Sequence, residues 1–66
     1  TDAGRALAAQ LPQVLQSASS ATDAQSQLRQ LGFDVDYVVD TNIGDSARRF
    51  AAVTIDEVRL IDNIAV

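Results

Sequence analysis

The sequence predicts a small α+β domain, two helices packed on one face of a three-stranded, mainly antiparallel sheet. Three observations predict it. Apolar residues recur at helical spacing as far as Leu31, the period shortens from 3.6 to 2 after Gly32, and turn-forming residues divide the remainder into three β-rich runs. No internal repeat or low-complexity tract interrupts the chain, so residues 1–66 read as a single domain.

The first helix is expected from about Ala3 to Ala18. Leu7, Leu11, Val14, Leu15 and Ala18 fall at i, i+4, i+7, i+8 and i+11, which is one apolar stripe. Asp2 is placed to cap it and to set a negative charge at the positive end of the helix dipole. Pro12 removes one N–H and crowds the carbonyl of Ala8, which predicts a kink, or a short first turn and a fresh helix starting at Pro12. Ser17 to Ser20 reads as a break. A second helix opens at Thr22 with the capping-box pattern Thr22-Asp23-Ala24-Gln25 and carries Ala24, Leu28 and Leu31 on its apolar stripe. Gly32 stands where a left-handed residue ends a helix.

Beyond Gly32, Phe33, Val35, Tyr37 and Val39 alternate with Asp34, Asp36, Val38 and Asp40, a half-buried strand with the first set inward. Asp40 to Arg48 carries the turn formers Asn42, Gly44, Asp45 and Ser46 and reads as a loop. Phe50 to Ile55 resumes strand character, Asp56-Glu57 makes a tight connection, and Val58 to Val66 is the third β-rich run.

Composition excludes much chemistry. A 66-residue chain without cysteine has no disulfide framework and no thiolate nucleophile. With no histidine it lacks the commonest general base and the commonest zinc ligand. Its basic residues are all arginine, so a Schiff-base lysine and a phosphate-loop lysine are both ruled out. The net charge of −4 and pI near 4.2 argue against nucleic acid and anionic membranes as partners. Cysteine-free composition and the lack of an apolar run of membrane-spanning length fit a cytoplasmic protein. The alanine-rich, lysine-free usage fits a bacterial source. On this inventory the chain is not expected to be a complete enzyme by itself.

Several residues still ask for a role. Asp34, Asp36 and Asp40 share one face of the first strand, where carboxylates do acid–base work, bind a hard cation or simply face water; the wet face of an amphipathic strand explains the spacing. Arg48 and Arg49 follow a Gly/Ser loop from which a phosphate is within reach, but the pair lacks a backbone N–H cradle and reads as an exposed loop or strand-edge pair. Tyr37 reads as a core residue with its hydroxyl at the rim rather than a catalytic phenol. Ser17, Ser19 and Ser20 have no base to activate them and read as linker. Asp62 shares its strand face with Val58, Leu60, Ile64 and Val66. A carboxylate among apolar neighbours needs hydrogen bonds, so Asp62, with Asn63, is expected to tie down backbone N–H groups at a bulge or turn, shielded from water, rather than to hold a ligand. No catalytic, cofactor-binding or metal-ligating residue is assigned.

The run Arg59-Leu60-Ile61-Asp62-Asn63-Ile64 resembles the closing motif of the pantothenate synthetases (pantoate–β-alanine ligases). Gly32-Phe33-Asp34-Val35-Asp36-Tyr37-Val38 is similar to that family's segment where a helix ends and the first strand of the C-terminal domain begins. Phe50-Ala51-Ala52-Val53 is similar to its small-and-aliphatic strand before the hairpin. The order and spacing agree along essentially the whole chain, which corresponds to most of the family's C-terminal, lid domain. The chain departs in having Asp56 where the family has glycine, Val58 near a family threonine, and a shorter stretch from Asp40 to Arg49. The nucleotide-binding N-terminal domain and its catalytic motifs have no counterpart here, so no family catalytic residue carries over. Arg48 and Arg49 remain the candidates for a lid contact with substrate.

The resemblance implies a parent enzyme that uses Mg-ATP to make pantoyl adenylate, releases pyrophosphate, and lets the β-alanine amine displace AMP to give pantothenate. It implies as partner the N-terminal catalytic domain of the same parent, over which the lid closes to keep water from the adenylate. Two alternatives stand beside it: a free-standing interaction module that binds through a sheet edge or the helix–helix face, and a paralogue that keeps the lid fold without activity. Self-association of the isolated chain is expected from its uncovered strand edge.

Overall fold

The computed structural model describes residues 2–66, with side chains from residue 4 onward, so the expected Asp2 cap lies outside the described side chains. Helices α1 (Asp2–Ser17) and α2 (Ala21–Leu31) precede strands β1 (Asp34–Ile43), β2 (Ser46–Ile55) and β3 (Val58–Ala65). The strands form one antiparallel sheet in the order β1-β2-β3, and both helices lie on one side of it, α2 over β1 and α1 over β3 and β2. The α+β architecture is the one the sequence predicts.

α1 runs unbroken through Pro12, which overturns the expectation of a fresh helix there. The missing proline N–H concerns one bond only, and Pro12 lies on the exposed side while Leu11, Val14 and Leu15 are held by the core. α2 starts earlier than its sequence signal suggested. Its N-cap is Ser20, in extended geometry, whose hydroxyl accepts the Asp23 N–H at 3.0 Å. Asp23 reaches back and accepts the Ser19 N–H at 3.0 Å and the Ser19 hydroxyl at 3.3 Å. The reciprocal cap is therefore built on Ser19, Ser20 and Asp23 rather than on Thr22 and Gln25, and Ser19 and Ser20 are more than linker. At the other end Gly32 takes φ +107, the Gly32 N–H donates to Arg29 O at 3.1 Å, and the Phe33 N–H donates to Leu28 O at 3.0 Å. These two bonds form the Schellman motif, and Phe33 and Leu28 meet in the core, as that motif favours.

The core between helices and sheet joins Leu11, Val14, Leu15 and Ala18 of α1 and its end, Ala24 and Leu28 of α2, Phe33, and Val38, Ala51 and Val53 of the sheet. A fully buried leucine or valine side chain stabilises the fold by roughly 1.5–3 kcal/mol relative to exposure. Gln25 of α2 adds a polar tie, its amide donating to the Val38 carbonyl at 3.1 Å.

β1 does not keep the expected phase. Its register against β2 shifts between Val35 and Tyr37, leaving Asp36 as an extra residue, a β-bulge. Val35 still faces the helices, but beyond the bulge Val38 and Asp40 face them instead. Tyr37 and Val39, expected inside, lie on the outer face and are 39% and 46% exposed. A one-residue slip exchanges the faces of everything beyond it.

The expected loop from Asp40 to Arg48 is strand instead. β1 continues to Ile43 and turns through Gly44-Asp45 alone, with Gly44 at φ +60 in the first central position, as in type II′ hairpins. The Asp56-Glu57 connection is the tight turn expected, and both residues are left-handed, φ +51 and +65, as in a type I′ turn. Aspartate tolerates that region moderately; glutamate does so poorly. Glu57→Gly is expected to stabilise the fold by about 0.5–1 kcal/mol, the relief of left-handed strain exceeding the greater unfolded-state freedom of glycine. A thermal melt should rise by several degrees. A lower midpoint would mean that Glu57 makes a compensating contact.

Candidate functional site

Among the described residues Arg49 is the buried charge, with 4% of its surface exposed. Arg49 lies on the helix side of the central strand and Arg48, half-buried, on its outer side, so the reading of Arg48-Arg49 as an exposed loop or strand-edge pair is corrected for both. The Arg49 Nε donates to Asp40 Oδ1 at 2.7 Å and Nη2 to Asp40 Oδ2 at 3.2 Å, a bidentate fork. Its Nη1 donates to the carbonyls of Leu15 at 2.7 Å and Ala18 at 3.0 Å. Those carbonyls close the C-terminal end of α1, where a cation is favoured. Asp40 lies on the strand position opposite Arg49 and also feels the Ala21 N–H at the start of α2, where an anion is favoured. The pair thus bridges the α1–α2 junction with each charge matched to a helix end. Four of the five guanidinium N–H groups are used by these four bonds, so Arg49 has little left with which to hold a phosphate.

Electrostatics follow the contacts. The Arg49 hydrogen bonds hold the Asp40 carboxyl below its ordinary pKa, with the guanidinium charge adding to that and partial burial opposing it. Asp40 in turn raises Arg49. Asp23 is also lowered, chiefly by the Ser19 N–H, with Gln27 and the Ser19 hydroxyl contributing and desolvation opposing. Both carboxyls bind protons less readily folded than unfolded. Their stabilisation is present above the unfolded value of about 4 and is lost as pH falls through the lower folded values. Melts recorded between about pH 6 and pH 2 are expected to show stability falling in the acid range, with Asp40→Asn flattening that dependence. A pH profile in Asp40→Asn as steep as in the parent would exclude Asp40 as a source.

The remaining candidates are distributed, not gathered. Asp34 and Asp36 stand on the outer side with Asp36 in an ion pair with Arg59, whereas Asp40 is on the helix side; the three carboxylates do not share a face. The bulge is the reason. No group of three or more metal-ligating side chains is found among the described residues. Arg48 points to the outer face and donates through Nε and Nη2 to Asn63 Oδ1 at 3.0 and 2.7 Å. Tyr37 is on that same face and not in the core. Asp62 lies opposite Ala51 on the helix side, in line with Leu60 and Ile64, as expected. It accepts the neighbouring Asn63 N–H at 2.8 Å but is only half-buried and sits in unbroken pairing with β2, so the expected bond is present while the expected bulge or turn and the expected shielding are not.

A shallow apolar groove of about 290 Å³ lies between α1 and the β2–β3 turn, lined by Arg5, Ala8, Ile55, Val58 and Leu60 among others. Asp56 is the one carboxylate of that lining, and Arg5 its one cation. Larger and less expected is the outer face of the sheet. Pairing sets Tyr37, Ala52 and Ile61 in one row across it and Val39, Phe50 and Asn63 in the next. Ile61 is 67% exposed there, while Ala52 beside it is fully buried although it has no part in the helix-side core. An alternation count missed this face because the bulge at Asp36 transfers Tyr37 and Val39 to it.

No helix among the described residues is long and apolar enough to cross a membrane. No known protein family matches the chain, and neither a curated protein nor a solved structure is significantly similar to it.

Proposed function

We propose that the chain is the C-terminal lid domain of a pantoate–β-alanine ligase, closing over a catalytic domain of the same parent that supplies the Mg-ATP chemistry. The observation that carries this reading is the convergence of the three resembling segments. The Gly32–Val38 segment begins β1, Phe50–Val53 lies on β2, and Arg59–Ile64 lies on β3, so residues far apart in sequence occupy one continuous sheet. The described residues assemble no nucleophile–base pair, which fits a lid, whose task is to exclude water from an acyl adenylate made elsewhere.

The purified chain alone, given pantoate, β-alanine and Mg-ATP, is expected to release no AMP above a buffer blank. In the parent, deletion of this domain should uncouple the reaction: AMP continues to appear while pantothenate falls, because water consumes the adenylate. A parent without a nucleotide-binding domain, or an unchanged ratio of AMP to pantothenate after deletion, would overturn the lid reading. The exposed apolar outer face favours the second reading, a free-standing interaction module.

A further inference from the structure

The outer face of the sheet is a short grid. Reading from β1 through β2 to β3, its rows are Ile43 and Ser46; Thr41, Arg48 and Ala65; Val39, Phe50 and Asn63; Tyr37, Ala52 and Ile61; and Asp34, Thr54 and Arg59. We propose that this face is a self-association surface on which two copies of the chain pack sheet against sheet. Their two-fold axis runs across the strands, midway between the Phe50 and Ala52 rows. This goes beyond the ligase reading and does not depend on it.

Shape and charge both select a second copy in that orientation. The axis turns the grid end for end, so Phe50 of each copy stands over Ala52 of the other, a large side chain over a small one. On the flanking strands the same rotation sets Tyr37 over Val39 and Ile61 over Asn63. Toward the ends, the Arg48 row carries one guanidinium, whose partner Asn63 is neutral. The opposite end carries two carboxylates, Asp34 and Asp36, against the single guanidinium of Arg59. End-for-end packing therefore brings opposite charges together, with Arg48 reaching toward Asp34 of the second copy. An axis along the strands would instead set Arg48 against Arg48. Asp45, Asp56 and Glu57 belong to the turns beyond the grid. The overall charge of −4 opposes association, but over a screening length of about 8 Å at physiological salt it weighs less than contacts on the face.

Area sets the strength. A three-stranded face about 14 Å wide and about 30 Å long covers roughly 430 Å² per copy, well below the roughly 800 Å² of a standard specific interface, so the dimer is a weak and transient one. Sedimentation equilibrium of the 66-residue chain is expected to give a mass above the monomer's at about 100 µM and the monomer mass at about 1 µM. Ile61→Asp should abolish the dimer at 100 µM while leaving the circular dichroism spectrum unchanged. Asp34→Arg and Arg48→Asp should each weaken association by about tenfold or more, and the double exchange should recover most of it. A mass that stays monomeric up to about 1 mM would overturn the proposal. So would a dimer indifferent to Ile61→Asp, which would signify edge-to-edge pairing through β1 or β3. A double exchange no better than either single change would overturn the end-for-end orientation.

Discussion

Replacing Arg49 by alanine is expected to destabilise the domain by about 3–5 kcal/mol, because the change orphans groups at three places in one step. The carbonyls of Leu15 and Ala18 lose a charged donor inside the structure, and Asp40 loses its bidentate partner. Since a core of this size supplies only about 3–5 kcal/mol net, the variant should be largely unfolded at 25 °C. Arg49→Lys retains the charge but not the planar fork. One ammonium cannot serve the two Asp40 oxygens and the two carbonyls in the same geometry, so a partial loss of about 1–2 kcal/mol is expected. Asp40→Asn should be milder than Arg49→Ala, because the Asp40 side chain is 43% exposed and water can replace part of what it loses. Urea denaturation of the three variants tests the order. If Arg49→Ala proved as stable as the parent, the α1–α2 junction would be held by apolar packing alone.

The order of effects also shows why parts of this molecule were legible in the sequence and others were not. α2 announces itself through local chemistry: the polar residues before it, the stripe of Ala24 and Leu28, and Gly32 after it all act within one or two turns. The Asp56-Glu57 hairpin was legible for the same reason. The bulge at Asp36 was not, because Val35, Tyr37, Val38 and Val39 offer apolar residues in both phases and the choice between them is made by β2 across the ladder. Arg49 was illegible for a related reason. Its carbonyl partners at Leu15 and Ala18 lie 34 and 31 residues away, and nothing adjacent to it in sequence marks it as buried. The outer-face site inherits both difficulties, since it exists only once the bulge has moved Tyr37 and Val39 and the hairpin register has set them beside Phe50 and Ile61.

Leucine truncation distinguishes the two faces by magnitude. Leu15 and Leu28 have no exposed surface, Leu15 holding α1 and Leu28 holding α2 against the sheet and against Phe33. Each change to alanine removes apolar contacts and leaves a cavity that its neighbours fill only in part, at an expected cost of about 2–5 kcal/mol. Leu28→Ala should fall toward the upper end, because Leu28 also supplies the side chain that meets Phe33 across the helix-ending Schellman motif. Ile61→Ala, on a side chain that is 67% exposed, should cost the monomer less than about 0.5 kcal/mol. Thermal melts at about 1 µM, where the chain is expected to be monomeric, keep folding separate from association. Under those conditions Leu15→Ala and Leu28→Ala should lower the midpoint by 10 °C or more, roughly, and Ile61→Ala by no more than a few degrees. Should Ile61→Ala fall as far as Leu28→Ala, the outer face would belong to the folding core, and its apolar residues would no longer argue for a docking surface.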